Sequence, residues 1–141
     1  MTTTRPTTIE LETRSAREVV DITERVDTLL DGAPDGSCHL FLRHTTAGLM
    51  ILTGEAGVPE DIMDILQSLV PTRAYRHDSA AHVAAHFLSG LVGPSVHVPV
   101  QAGRLALGEF QRIVRRRARR SRRRAERIPE RVELLRLLSE P

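Results

Sequence analysis

The stretch that decides the fold is CHLFLRHTTAGLMIL, Cys38 to Leu52. Cys38–Arg43 is short and apolar, as a strand buried in a core is, and it delivers His44 to its end. Thr45-Thr46-Ala47-Gly48 supplies a turn, and Leu49–Leu52 reads as a second strand.

Downstream, Gly54–Gly57 forms a loop and Pro59 suits the first turn of a helix, where Glu60 and Asp61 meet the positive end of its dipole. Ile62, Ile65, Leu66 and Leu69 mark its expected buried face, and Pro71 ends it. After the loop Thr72–Asp78, a second helix is predicted over Ser79–Val92, closed by Gly93-Pro94, with Val83, Phe87, Leu88 and Leu91 inward. Ser95–Val100 alternates as a strand does, and Pro99 assigns it an edge or bulge position. Gln101–Arg104 turns into Leu105–Leu107, and Gly108–Val114 is a last strand.

Upstream, Thr7–Thr13 alternates as a strand. Two readings compete over the next segment. Ser15-Ala16-Arg17-Glu18 has the form of a capping box that opens a helix. Alternatively, Val19–Ile22 finishes a strand and Thr23 caps a shorter helix to Leu30, which is the reading favoured. Asp31–Gly36 is dense in turn residues. The order of elements defines an α+β fold with mainly antiparallel strands and two to three helices.

Aromatic residues make up 3% of the 141-residue chain, with no Trp, so the core must be aliphatic. All 20 basic residues are Arg, which points to genomic coding bias. A single cysteine, Cys38, excludes an internal disulfide framework and fits a reducing, cytoplasmic setting; its apolar surroundings suit an inert thiol. No apolar run reaches the length of a membrane span, and the Thr-rich start does not resemble a signal peptide.

Charge is unevenly placed. Residues 1–114 hold 9 Arg against 14 acids, a net of −5, whereas 115–141 hold 11 Arg against 4 acids, a net of +7. The division predicts a domain over 1–114 and an Arg-rich tail over 115–141 with a short C-terminal helix marked by Val132, Leu135 and Leu138. RRRARRSRRRAER (115–127) repels itself in water and is attracted to nucleic acid or another anionic surface. It lacks the interleaved aromatics that stack on bases, so any such contact is unspecific.

Four of the six histidines fall between His44 and His86. His82 and His86 are four apart, so a helix places both imidazoles on one face. That spacing suits two nitrogen ligands of a zinc-like ion, and equally two ordinary half-buried histidines. His44 and His77 stand at the edges of other elements, from where they can complete a four-histidine site. His39 and His97 lie in apolar runs and read as structural.

The ordered set HTTAGLMIL (44–52), YRHD (75–78), HVAAH (82–86), LVGPSVHVPV (91–100) and GRLALGEFQRI (103–113) resembles the YjbQ-like family over Ile9 to Val114. The resemblance implies an α+β sandwich assembled as a homotrimer, with a metal or anion site lined by His44, His77 and His86. His82 matches the branch with H-x-x-x-H. Members are described as secondary thiamine-phosphate synthases with weak activity and an unsettled physiological substrate. The implied catalytic positions are His44, Thr45 and Gln111. Arg43, Arg76 and Arg104 lie beside the motifs as candidates for binding a small phosphorylated ligand. A divalent metal, zinc-like for histidines and Mg²⁺ for diphosphate chemistry, is the implied cofactor. The chain departs from the family in carrying Glu109-Phe110 for its Thr-Trp, in a shortened segment Ser79-Ala80-Ala81, and in the arginine run. That run replaces a final strand pair and predicts an open sheet edge. The competing reading is a non-catalytic trimer that binds a metal or phosphorylated ligand and touches nucleic acid through its basic tail.

Overall fold

A computed structural model describes residues 2–3, 6–12, 14–15, 17–117 and 130–138. In chain order the elements are β1 (Thr2–Thr3), β2 (Thr7–Leu11), β3 (Glu18–Asp21), α1 (Thr23–Leu30), β4 (Gly36–Leu42), β5 (Ala47–Thr53), α2 (Val58–Ser68), α3 (Ala80–Val92), β6 (Ser95–Gln101), β7 (Arg104–Leu105), β8 (Gln111–Arg117) and β9 (Glu130–Leu138). The larger sheet runs β1-β9-β4-β6-β7, with β2 also on β9, and the smaller runs β3-β8-β5; every pairing is antiparallel. The fold is the expected α+β sandwich with three helices.

The two sheets bury one aliphatic core. Cys38, Leu40 and Leu42 of β4, Val98 and Val100 of β6, and Val132 and Leu134 of β9 face Ala47 and Leu49 of β5 and Ile113 of β8. Ile22, Val26 and Leu30 close it from α1. The strand-then-helix reading of residues 19–30 therefore holds. Ile22, not Thr23, is the N-cap; the Asp21 carboxylate accepts the Thr23 N–H at 2.9 Å. Burial pushes Asp21 up, but hydrogen bonds from Arg112 and Thr23 outweigh it and hold the carboxyl below its usual 3.8.

Pro99 sits where β6 forms the sheet edge, because β7 pairs only with Val100 and Gln101. The Pro99 carbonyl faces that edge and accepts from Ala106 N–H at 2.8 Å, so its missing N–H removes no ladder bond. The hairpin turn beyond it uses two residues of positive φ, Ala102 at 49° and Gly103 at 73°, which matches a type I′ turn.

The helical faces differ from expectation. In α3 the buried residues are Ala84, Ala85, Leu88 and Ser89; of the predicted face Leu88 is buried and Val83 half-buried, whereas Phe87 and Leu91 are exposed. Small residues face the sheet because α3 lies very close to β5: a Cβ on Gly48 would stand 2.7 Å from Val92 Cγ1 and 2.9 Å from Gly93 O. In α2 only Met63 is buried, while Ile65 and Leu69, expected inward, are exposed. This helix lies in an outer layer beside α3 rather than in the sandwich. No described helix is long and apolar enough to cross a membrane.

The largest correction concerns the C-terminal residues. Arg115–Arg117 do not begin a tail; they complete β8, the middle strand of its sheet. Residues 130–138 form a strand and not a helix. Glu130, Val132 and Leu134 are buried while Arg131 is exposed and Glu133 and Leu135 half-buried, a period-two pattern that a helix spacing of Val132, Leu135 and Leu138 concealed. With β4 on one side and β1 and β2 on the other, β9 fills the place where an open edge was expected. The rest of the arginine run, 118–127, lies outside the described residues.

The arginines of β8 alternate in the same way. Arg115 and Arg117 point into the sandwich, each 3.1 Å from the fully buried Glu130 carboxylate, and Arg115 also reaches Glu18 at 3.3 Å. Arg116 faces the helical layer at 1% exposure, with no hydrogen bond to its Nε or Nη1. Burial, and Arg17 nearby, lower it to about 10.

Urea denaturation distinguishes these roles. Leu134→Ala is expected to cost about 2–5 kcal/mol, as for a fully buried core leucine. Arg116→Met, which replaces an unpaired buried cation by an apolar chain, keeps or raises stability. A Leu134→Ala midpoint equal to wild type would contradict the central placement of β9.

Candidate metal centre

The site forms at one end of the sandwich, where β4 ends, β5 begins and α3 starts. Arg43 N–H donates to Arg131 O at 3.1 Å, and His44 N–H to Leu42 O at 3.0 Å, which turns the chain out of β4. The His44 Nδ1 then accepts the Thr46 N–H at 3.1 Å, with Thr46 Oγ1 at the same distance. In the neutral ring this fixes the proton on Nε2. Burial lowers the His44 pKa from 6.5; Glu130 opposes it, while Arg117, Arg115 and His86 add to it. The ring is therefore neutral at pH 7.

Helix α3 is pinned to the same turn. Ser89 Oγ–H donates to Ala47 O at 2.7 Å in a buried contact, and His86 Nδ1–H donates to Thr45 O at 2.8 Å. A carbonyl can only accept, so His86 carries its proton on Nδ1 and leaves the Nε2 lone pair free. At the helix start, Ser79 is the N-cap and accepts the His82 N–H at 3.3 Å.

His77 approaches from the preceding loop. Its Nδ1 lies 3.1 Å from Ser79 N–H and 2.9 Å from an Asp78 carboxylate oxygen. The two contacts suit the two tautomers of the neutral ring. A bare Nδ1 accepts from Ser79, whereas a protonated Nδ1 donates to Asp78 and turns the Nε2 lone pair outward. The latter is the outer partner that a metal-bound histidine needs.

His77, His82 and His86 form one cluster, with one ligand atom from each lying within 4.8 Å of the others. Ring centroids stand 4.3 Å apart for His82–His86, 4.9 Å for His77–His82 and 6.0 Å for His77–His86. Bonds of about 2.0–2.1 Å to one tetrahedral ion need nitrogens roughly 3.3 Å apart. Modest ring rotations reach that, so the donor set fits a zinc-like ion.

The structure groups three of the four expected histidines. His44 is adjacent, but its Nδ1 is engaged by Thr46 and it stands outside the cluster. Thr45 contributes its carbonyl. Arg76 is exposed beside His77, and exposed Arg43 lies 3.9 Å from Glu133. Two expected residues are elsewhere. Arg104 pairs with Gln101 beyond Val100, which lies opposite Gly36 at the far end of β4. Gln111 pairs with Thr53 at the far end of β5, and its side chain accepts Gly108 N–H at 2.8 Å, closing a turn. Six strand residues separate each from the His44 end, about 20 Å.

Thr46, Ser89 and Glu130 are site components that sequence reasoning missed. Ser89 falls seven residues after His82, on the same helical face, and that spacing could have revealed it. Glu130 lies within a segment expected to be a tail. Cys38 is not part of the site: burial pushes its thiol up to about 12, leaving it protonated and inert.

The chain is thus a two-sheet α+β sandwich with a three-histidine cluster at one end. The family model described as UPF0047 protein YjbQ-like matches residues 7–128, and the chain belongs to that family. A UPF0047 protein of Archaeoglobus fulgidus is 40% identical over 108 residues, covering 75% of this chain and 85% of the relative. One from Mycobacterium bovis is 43% identical over 101 residues, 70% of this chain and 78% of the relative. The crystal structure of a conserved YjbQ/UPF0047 protein from Clostridium acetobutylicum is similar at a TM-score of 0.81 and 27% identity, covering 93% of this chain and 99% of that one. A YbjQ-like protein of unknown function from Sulfolobus solfataricus shares the fold at a TM-score of 0.84 and 24% identity, over 98% and 100% of the two chains.

Imidazole ¹⁵N shifts of metal-free protein at pH 8 test the proton placement. His86 is expected as the Nδ1–H tautomer and His44 as the Nε2–H tautomer. The reverse assignment for His86 would contradict its bond to Thr45.

Proposed function

We propose that this chain is a metal-binding YjbQ-like protein whose His77, His82 and His86 hold one zinc-like ion. The observation that carries the reading is the convergence of three imidazoles within 4.8 Å, with the Thr45 carbonyl orienting His86. Three protein nitrogens leave a fourth position open, the pattern of a catalytic rather than a structural zinc site. When bound, the ion would act as a Lewis acid on an oxygen of a small phosphorylated ligand. The neutral His44, with Nε2–H on the adjoining turn, is suited to donate a hydrogen bond to such an oxygen, and exposed Arg76, next to His77 in sequence, offers charge. Thiamine-phosphate synthase-like transfer, in which a thiazole phosphate displaces pyrophosphate from a pyrimidine diphosphate, is the enzymatic form of this proposal.

One observation favours binding without turnover. The described cluster consists of imidazoles, whereas Mg²⁺, the usual partner of a diphosphate leaving group, is held by oxygen ligands. Self-association, as the homotrimer this reading includes, would cover the exposed Ile65 and Leu69 on α2 and Phe87 and Leu91 on α3. Contact of the arginine-rich segment with nucleic acid belongs to the same non-catalytic reading.

The metal content of tag-free protein after zinc loading tests the proposal. Wild type is expected to hold one ion per chain at the cluster, and His82→Ala/His86→Ala to lose it. Turnover of the two thiamine precursors that disappears with His44→Ala identifies an enzyme; tight binding of a phosphorylated ligand without turnover identifies a binding protein. Equal zinc in wild type and the double variant would overturn the site.

A further inference from the structure

The outer face of the larger sheet carries a pair of histidines apart from the cluster on α3. His39 on β4 and His97 on β6 are directly opposite in the antiparallel ladder, so both rings rise from the same face. Both lie in strands, as expected, with His97 exposed and His39 half-buried. Their ring centroids are 5.9 Å apart at an interplanar angle of 70°. Metal–nitrogen bonds of about 2.0–2.1 Å place the centroids of two imidazoles on one ion roughly 4.5–6.4 Å apart, depending on the angle at the metal. The pair already stands within that range.

Neither ring makes a hydrogen bond or ion pair among the described residues; the contact each makes is with the other. Their nitrogens are therefore available, and the paired strands hold the two Cβ atoms in place without a loop to order. Half-buried Leu135, paired with His39 on its other side, and exposed Phe41 supply an apolar border that weakens competition from water. His39 is also remote from the cluster on α3, being five strand residues, about 17 Å, from His44.

We propose that His39 and His97 form a second metal site that takes a late first-row divalent ion through two imidazole nitrogens and leaves its remaining positions to water or an external ligand. Imidazole pairs select this class, with Cu²⁺ bound most tightly in the ordinary affinity order. Copper is therefore the probe of choice.

The test uses the full chain carrying His82→Ala/His86→Ala, so that the first cluster cannot contribute. Electron paramagnetic resonance of added Cu²⁺ is expected to show one saturable nitrogen-ligated ion per chain, lost when His39→Ala and His97→Ala are added. Amide spectra of the parent double variant provide a check that needs no change in the strands. Copper should broaden Cys38–Leu40 and Val96–Val98 first. No saturable copper, a nitrogen-ligated signal that survives loss of both residues, or first broadening elsewhere would each overturn the site. Because the background lacks the α3 ligands, these outcomes are independent of zinc binding at the first cluster.

Discussion

Helix α3 lies so close to β5 at Gly48 that no side chain fits between them. A Cβ there would meet the Val92 side chain and the Gly93 carbonyl at 2.7 and 2.9 Å, and the second contact is backbone, which cannot rotate away. The approach is held by Ser89 to Ala47 and by His86 to Thr45, one helical turn apart. The same carbonyl of Gly93 accepts Leu49 N–H at 3.0 Å, which ties the end of the helix to the strand. The first turns of α3 consequently project past the end of β5, and His82 and His86 stand over the turn that carries His44. The candidate metal centre is thus a consequence of how tightly one helix can seat on one strand.

A second constraint lies behind that turn. Glu130 opens β9 and receives Arg115 and Arg117 of β8 inside the sandwich. Charges this deeply buried are tolerated only when paired, and the loss of one partner is costly because it strands the other. The network joins the last strand of each sheet at the end of the molecule where His44 sits, and its charges enter the electrostatic balance of that ring. Arg116, between the two inward arginines, is equally buried on the opposite face with no hydrogen bond to its Nε or Nη1, and desolvation correspondingly lowers its pKa.

Much of this was legible in the sequence. CHLFLR and LMIL gave two strands, with His44 at the end of the first, because short apolar runs on either side of HTTA have few other solutions. Pro59, Pro71, Ser79 and Gly93 punctuated α2 and α3. The four-residue spacing of His82 and His86 placed two imidazoles on one face. The buried faces of the helices were misread because large apolar residues were assumed to point inward, whereas the contact at Gly48 selects Ala84, Ala85 and Ser89. The C-terminal strand was misread for an electrostatic reason. Self-repulsion over 115–127 implied solvation, but side chains in a strand alternate, so Arg115 and Arg117 meet Glu130 while Arg116 faces away. Arg104 was chosen for lying beside a family motif and Gln111 for matching the family's Gln, and strand pairing places both at the opposite end of the molecule. Local spacing says nothing about which end of a strand a residue occupies.

Zinc K-edge X-ray absorption on the wild-type chain loaded with one equivalent of zinc tests the central claim most directly. The account predicts about three imidazole nitrogens at roughly 2.0–2.1 Å and one further light-atom ligand completing a tetrahedron. A first shell containing sulfur, or one with a single imidazole and the rest water, would contradict a cluster built from His77, His82 and His86.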